Sequence, residues 1–293
     1  MSITIFRKNI NEYKSGTHTH TEVKWRAGPL CAEVLGNFPN LQVLCCNNNK
    51  LTSLDGLEGC PQLSKLYCSG NKLTTLRGIE NCTKLTVLNC SSNLLVTLNG
   101  LDTHTELQWL ACTNNQLTTL RDVWNCKQLR TVFCYMNKLI SLEGLNGCLQ
   151  LDYLECQCNL ITSLAAIKGC TMLEHLDCSH NNLASLGGIE GCPDLEILDC
   201  SNNRLVSLVG IKDCIRLRTL DCSHNRLPSL TGIEGCIRLR NLHCTSCGLI
   251  TLEQVVGLRR LRLIDHSTNR IGPQSEAVHQ FFHNLGHGNK TWF

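Results

Sequence analysis

Apolar side chains recur at fixed positions of a 22-residue period throughout residues 41–271. Each unit follows the pattern L-x-x-L-x-C-x-x-N-x-L-x-x-L-x-G-[LI]-x-x-C-x-x with few departures and no insertion. The eleven units begin at Leu41, Leu63, Leu85, Leu107, Leu129, Leu151, Leu173, Leu195, Leu217, Leu239 and Leu261. A short fixed period with strict apolar positions indicates a solenoid, in which each repeat buries its apolar face against its neighbours.

The first half of each unit predicts a short strand. In the second repeat, Leu66 and Cys68 are two residues apart and point to the core, whereas Lys65 and Tyr67 point outward. The asparagine at the ninth position carries both amide donors and an acceptor, so we expect it to satisfy backbone groups in the turn that follows the strand. The remaining residues leave room only for turns or short 3₁₀ segments on the opposite side.

The two ends of the chain depart from the repeat. Because a solenoid exposes its core at both ends, residues 1–40 are predicted to form an N-terminal cap, with strands near 3–6 and 21–25 and a helix after Pro29. Residues 272–293 are predicted to form a C-terminal cap helix with a polar tail. The repeat domain is therefore assigned to residues 41–271.

Most of the 22 cysteines belong to the repeat, ten at its sixth position and eight at its twentieth. A column delivers one thiol per repeat in one direction, whereas zinc needs four converging ligands. We therefore predict buried structural thiols, a reducing cytoplasmic or nuclear location, and no metal or cofactor. The remaining cysteines lie outside both columns: Cys31, Cys45, Cys158 and Cys247.

The L-x-x-L-x-[LC]-x-x-N-x-L core resembles the 22-residue subclass of leucine-rich repeats, over about four-fifths of the chain. The resemblance implies an α/β solenoid: a horseshoe with a concave parallel β-sheet, short 3₁₀ or turn segments on its convex side, and protein binding on the concave side. This array departs from the family by placing Cys at a consensus Leu position in ten repeats. In that respect it is similar to cysteine-rich arrays of large DNA viruses of amoebae, which would make a virion a second expected location.

The outward columns of the strands hold the candidate binding residues. Four aromatic side chains fall on three consecutive strands, in a chain with 5% aromatic residues: Trp109, Phe133, Tyr135 and Tyr153. Clustered exposed aromatics are typical of protein interfaces, although packing among themselves is the alternative. An acidic row follows at the fifth repeat position: Glu155, Asp177, Asp199 and Asp221. Recognition of a basic partner and a hydrogen-bonded ladder with neighbouring serines are both open for this row.

Charge is unevenly distributed, although the formal net charge is only +3. Residues 139–199 contain nine acidic residues and one lysine, whereas residues 200–271 contain eleven basic and five acidic residues. A basic edge is predicted where the later strands begin: Arg216, Arg218, Arg238, Arg240, Arg260 and Arg262. A second row, at the tenth repeat position, comprises Arg204, Arg226 and Arg270. These arginines suit phosphates or carboxylates, and internal pairing with acidic residues is the alternative.

No nucleophile elbow, phosphate-binding loop or converging catalytic group is present, so we predict that the protein is not an enzyme. No apolar run is long enough to predict a membrane span. The leading hypothesis is a scaffold that binds a protein partner on its concave face. The alternative is a structural or packaging protein that self-associates, or contacts a histone or nucleic-acid assembly, through its charged halves.

Overall fold

A computed structural model describes residues 2–6, 10–14, 17–30 and 32–287 of the chain. It contains two compact units, which are described separately. The first comprises Met1–Leu139 with Glu143–Leu151, and the second comprises Ile140–Leu142 with Asp152–Phe293. Cys31 and the tail at 288–293 lie outside the described residues.

In the first unit, each strand pairs in parallel with the next one along the chain. The strands are β1 Ser2–Phe6, β2 Glu22–Arg26, β3 Val43–Cys45, β4 Lys65–Tyr67, β5 Val87–Asn89, β6 Trp109–Ala111 and β7 Thr131–Phe133. A short helix, α1, spans Ala32–Leu35, and 3₁₀ segments span Ile10–Tyr13, Leu57–Gly59 and Arg121–Val123.

The second unit repeats this arrangement, with parallel strands in sequence order. Its strands are β8 Tyr153–Glu155, β9 His175–Asp177, β10 Ile197–Asp199, β11 Thr219–Asp221, β12 Asn241–His243 and β13 Leu263–Asp265. The 3₁₀ segments span Ala165–Ile167, Val209–Ile211 and Glu253–Gly257. Helix α2 spans Glu276–Phe282, and a π-helical turn follows at His283–His287.

The predicted fold class is confirmed: parallel strands are stacked as a solenoid, with only short helical segments in the described residues. The strands expected near residues 3–6 and 21–25 are present as β1 and β2. Both join the sheet directly, because β2 pairs with β3 in the same parallel register as the repeats. None of the helices in the described part of the chain is both long and apolar enough to cross a bilayer.

The core consists of the leucine and cysteine columns. Leu66 and Cys68 are completely buried, and their equivalents are buried in every repeat. The strand-end thiols also donate hydrogen bonds to the next strand, as from Cys200 Sγ to the Asp221 carbonyl at 3.3 Å. Burial raises the pKa of the Cys200 thiol well above its ordinary value, so the thiol remains neutral in the core. The cysteines of the columns thus act as small apolar residues, and several of them also donate a hydrogen bond to a backbone carbonyl.

The ladder asparagines, at the ninth repeat position, connect successive turns. Asn203 is buried, and its Nδ2 donates to the carbonyls of Cys178 at 3.0 Å and Cys200 at 3.2 Å. Its Oδ1 accepts the Leu183 N–H at 2.9 Å. Each of these amides therefore satisfies backbone groups in two repeats at once, as the sequence predicts. The cost of leaving such groups unpaired makes this position intolerant of change.

Helix α2 packs over the last repeats. It begins after Ser275, whose Oγ accepts the Val278 N–H at 3.4 Å, a normal N-cap contact. Val278 is completely buried and Phe282 is 8% exposed. The apolar side of the helix therefore covers core side chains at this end of the second unit.

Replacing Asn203 with alanine is expected to lower the free energy of unfolding by about 3 kcal/mol, since Leu183 N–H and two carbonyls lose their partner. Asn182→Ala is the matched control, because the Asn182 side chain forms no hydrogen bond in the described residues. Urea unfolding followed by circular dichroism measures both variants. Equal, small effects would contradict the role assigned to the ladder amide.

Candidate functional site

The sheet of the second unit presents the acidic row on its outward face. In the parallel register, Glu155 pairs with Asp177, Asp177 with Asp199, and Asp199 with Asp221. Neighbouring strands lie about 4.8 Å apart, so four carboxylates stand in close succession across β8 to β11. The sequence prediction that these side chains share one surface therefore agrees with the backbone geometry.

An aromatic stack flanks the start of this row. The rings of Tyr153 and His175 are parallel, with centroids 4.1 Å apart. The Tyr153 hydroxyl donates to Glu155 Oε1 at 2.8 Å, and burial with this hydrogen bond raises the pKa of Tyr153 to about 12. Burial lowers the pKa of His175, against the opposing effect of the nearby carboxylates, which favours a neutral ring at neutral pH. His175 is thus a contact residue that the aromatic count did not identify.

The aspartates of the row are held by the serines two residues later. Asp177 Oδ1 accepts the Ser179 hydroxyl at 2.7 Å and its N–H at 3.0 Å. Asp199 and Asp221 accept the equivalent backbone N–H groups, each at 2.9 Å. Of the two alternatives that the sequence leaves open for this row, the hydrogen bonds with the neighbouring serines are present, and recognition of a basic partner stays a hypothesis. These hydrogen bonds fix the carboxylates but do not neutralise them.

Asp199, at the middle of the row, has the most perturbed environment. Burial, followed by the neighbouring charges of Asp177 and Asp221, raises the pKa of this carboxyl, and the hydrogen bonds from Ser201 oppose the shift. No lysine or arginine in the described residues forms an ion pair with any member of the acidic row. The face therefore carries uncompensated negative charge.

A second acidic column, which is not among the residues predicted above, adjoins the row at the second repeat position. It contains Asp152, Glu174 and Glu196, of which Glu174 is exposed and the other two are half-buried. The 22-residue register alone would have revealed it, because each residue immediately precedes a strand. Asp152 and Glu174 widen the negative surface toward the edge where the strands begin, whereas Glu196 forms an ion pair with Arg218.

The basic edge is divided by ion pairing. Arg216 Nη1 lies 3.2 Å from Asp194 Oδ1, and Arg218 Nη2 lies 3.2 Å from Glu196 Oε1. Internal pairing therefore accounts for these two arginines, but with acidic residues one repeat earlier and not with the acidic row. The other four are exposed and form no ion pair within the described part of the chain: Arg238, Arg240, Arg260 and Arg262.

The first unit contributes a separate aromatic surface. The rings of Trp109 and Phe133 lie 5.5 Å apart at 56°, on the adjacent strands β6 and β7. Tyr135 follows β7, and all three side chains are half-buried. The two rings of Trp109 and Phe133 therefore lie together, as the sequence predicts. Tyr153 belongs to the second unit, with His175.

Among the described residues, no group of three or more His, Cys, Asp and Glu side chains has an arrangement suited to holding a metal ion. Cys244 and Cys247, which have metal-like spacing in the sequence, are both buried. Cys247 instead donates to the Cys222 carbonyl at 3.1 Å. The chemistry available on the outward face is consequently that of carboxylates and aromatic rings, which suits recognition.

Comparisons with known proteins show which repeats and folds this chain is similar to. A family model described as leucine-rich repeats, two copies, matches residues 39–81, 62–103 and 171–213. A leucine-rich-repeat protein of Leptospira interrogans superposes with a TM-score of 0.81 at 23% identity, covering 89% of this chain and 70% of that one. No curated protein matches the chain significantly.

Two further solved structures are informative. A functional domain of InlJ from Listeria monocytogenes, which includes a cysteine ladder, has a TM-score of 0.74 at 30% identity, covering 83% of this chain and 52% of that one. The plant peptide hormone receptor RGFR1, in complex with RGF2, has a TM-score of 0.71 at 23% identity, covering 96% of this chain and 52% of that one. The repeat pattern and the fold of this chain are therefore similar to those of leucine-rich-repeat proteins.

Replacing Asp199 with asparagine is expected to stabilise the fold near pH 7, where the wild-type carboxyl is charged. Asparagine keeps the acceptor for the Ser201 N–H but removes a buried charge between two like charges. The pKa of Asp199 is higher in the folded state than in the unfolded state. The wild type therefore loses stability relative to the variant as the pH rises from the unfolded-state pKa through the folded-state pKa. The gain should vanish near pH 3, where the carboxyl is protonated.

Thermal unfolding at both pH values tests this expectation, with Asp265→Asn as the control. Asp265 occupies the same repeat position in β13, is exposed, and has His243 as its neighbour in β12. No comparable gain is expected there. A loss of stability for Asp199→Asn near pH 7 would show that the fold needs this charge.

Proposed function

We propose that the protein is a non-enzymatic scaffold whose second unit binds a basic, extended segment of a protein partner. The segment lies across β8 to β11, over the acidic row. The observation that supports this most strongly is the uncompensated charge of Glu155, Asp177, Asp199 and Asp221, in strand register and without an ion-paired cation in the described residues. A row of like charges is unfavourable until a ligand supplies the counter-charges.

Spacing and side-chain chemistry favour a peptide. Side chains on one side of an extended segment recur about every 7 Å, and the carboxylates lie about 4.8 Å apart, so lysine or arginine side chains have several acceptors within reach. The Tyr153–His175 stack at one end provides an aromatic surface against which the aliphatic part of such a side chain packs. The serine hydrogen bonds pre-organise the acceptors, which reduces the entropic cost of binding.

The first unit is proposed to add an apolar contact through Trp109, Phe133 and Tyr135. Half-buried aromatic side chains are the residues most often responsible for binding energy in protein interfaces. The complex of the plant receptor RGFR1 with RGF2 supports the class of function, since that repeat protein holds a peptide hormone. Its level of identity supports the fold of this chain but not the choice of partner.

The alternative, charge-driven self-association or contact with a nucleic-acid assembly, is favoured by one observation. Arg238, Arg240, Arg260 and Arg262 are exposed and lack ion pairs in the described residues, so they are available to an acidic surface. The acidic row on the same unit works against nucleic acid but suits a second copy or a basic histone-like protein. The reducing cytoplasmic or nuclear location, the virion location and the likeness to viral repeat arrays stay predictions.

Binding of a lysine- and arginine-rich peptide tests the proposal by fluorescence anisotropy. Asp177→Asn with Asp221→Asn is expected to weaken binding about tenfold or more, because two charge-assisted contacts are lost. Asp102→Asn with Glu106→Gln removes the same charge from exposed positions in the first unit, and should leave the affinity nearly unchanged. An acidic peptide of equal length should not bind wild type.

The variants also separate the two functions. Equal weakening by both double variants, with binding abolished at moderate salt, would contradict a defined site and favour a diffuse electrostatic role. Tyr153→Ala should weaken binding of the same peptide, whereas Trp109→Ala tests the contribution of the first unit to the binding affinity. Light scattering at low and high salt measures self-association directly. A salt-sensitive dimer would support the alternative.

A further inference from the structure

A cleft lies among the turns that follow β11, β12 and β13, at the ends of these strands. Its volume is about 590 Å³, and residues lining it include Arg226, Ser246, Gly248, Thr268 and Arg270. These residues come from the eighth and tenth repeat positions, whereas the acidic row occupies the fifth. The cleft is therefore formed by a different part of the repeat.

Two substitutions in one repeat create the cleft. The tenth position is arginine in the flanking repeats, Arg226 and Arg270, but glycine in this one. An ideal Cβ on Gly248 would meet no atom within 4 Å, so open space stands where a side chain would project. In the same repeat, Cys247 replaces the ladder asparagine.

The backbone of this turn is altered as well. Gly248 has a left-handed φ of 82°. The N–H groups of Arg226 and Arg270 donate to the carbonyls of Leu205 at 2.9 Å and Leu249 at 3.0 Å, respectively. The Gly248 N–H makes no such bond to any described residue. A main-chain donor without an acceptor therefore lines the cleft.

A second donor is left unpaired by the change from Asn to Cys. The N–H groups of Leu205 and Leu249 donate to the ladder amides of Asn225 and Asn269. Leu227 is the equivalent residue facing Cys247, is completely buried, and has no acceptor for its N–H in the described part of the chain. Leu227 is not among the residues that line the cleft, whereas Gly248 lines it and is exposed. The Gly248 N–H is therefore the main-chain donor available to an external acceptor in this turn.

The charge of the cleft selects an anion. Arg226 and Arg270 are exposed and form no ion pair with a described residue. They are two repeats apart, about 10 Å along the stack, so both guanidinium groups can reach a ligand seated over Gly248. The side chains of Ser246 and Thr268 add hydroxyl donors, and no carboxylate lines the cleft. Every polar group that projects into it is consequently able to donate.

We propose that this cleft binds a phosphate monoester, held between Arg226 and Arg270 over the Gly248 N–H. A phosphate monoester carries a charge of about −1.5 to −2 near neutral pH and several acceptor oxygens, which matches two guanidinium groups and additional donors. A carboxylate supplies one charge and two oxygens, and therefore engages fewer of the hydrogen-bond donors in the cleft. The site does not depend on the acidic row or on the proposed peptide binding.

Isothermal titration with O-phosphoserine, serine and inorganic phosphate tests the proposal. Phosphoserine is expected to bind at one site per chain, and serine is expected not to bind. Arg226→Gln and Arg270→Gln should each weaken binding about tenfold or more. Arg204→Gln is the matched control, because Arg204 precedes Arg226 in the same column but does not line the cleft.

The outcomes are distinguishable. Inorganic phosphate binding as tightly as phosphoserine would support the oxyanion site but identify free phosphate as the ligand, whereas a clear preference for phosphoserine would identify a phosphorylated side chain. No saturable binding to wild type, or an equal loss in Arg204→Gln, would overturn the proposal.

A filling variant provides a second test that retains both arginines. Gly248→Asn puts a side chain into the open space, and asparagine tolerates a left-handed backbone. Binding should be lost while the circular dichroism spectrum and thermal midpoint remain close to those of wild type. Unchanged phosphoserine binding in this variant would contradict a ligand seated over Gly248.

Discussion

The satisfaction of backbone polar groups between one turn and the next is the constraint on which the structure depends. Three-residue strands are too short to be stable alone, so each repeat needs its neighbours for both hydrogen bonds and apolar contact. Asn203 illustrates the solution, since one amide joins the carbonyls of Cys178 and Cys200 to the N–H of Leu183. The leucine, cysteine and asparagine columns consequently vary little, with exceptions such as Cys247, and most variation falls at the outward positions.

This division explains why the fold was predictable from the sequence. The period alone located the strands, and positions such as Leu66 and Cys68 are buried as the alternation requires. The direct pairing of β2 with β3 was not predictable, because residues 1–40 lack the repeat that sets the register. The end of α2 in a π-helical turn was equally outside the pattern.

The candidate surfaces were predictable only in part. The column of Glu155, Asp177, Asp199 and Asp221 follows from the register, but its lack of cationic partners required side-chain geometry. Arg218 illustrates this limit of the sequence. Its position near the acidic row suggests that it neutralises one of those carboxylates, but in the structure it pairs with Glu196. Likewise, the change from Asn to Cys at position 247 is visible in the sequence, but the donors it leaves unpaired are visible only in the structure.

The second unit thus presents two surfaces of opposite charge on different repeats of one array. The acidic surface lies on the strands and the donor-rich cleft on the turns, because each column of the repeat carries its own side-chain chemistry. Such a separation allows two ligands to be recognised without changing the core. It is consistent with a scaffold, whose function depends on outward side chains and not on a reactive centre.

The most direct test of the central claim is to locate the basic segment on the protein by carboxyl footprinting. Carbodiimide labelling with a nucleophilic amine, followed by mass spectrometry, measures the reactivity of each carboxyl with and without the basic peptide. The account predicts protection of Asp177, Asp199 and Asp221, with Asp102 and Glu106 unchanged. Uniform protection of all acidic residues, or no protection of the carboxyl groups in the acidic row, would contradict this account.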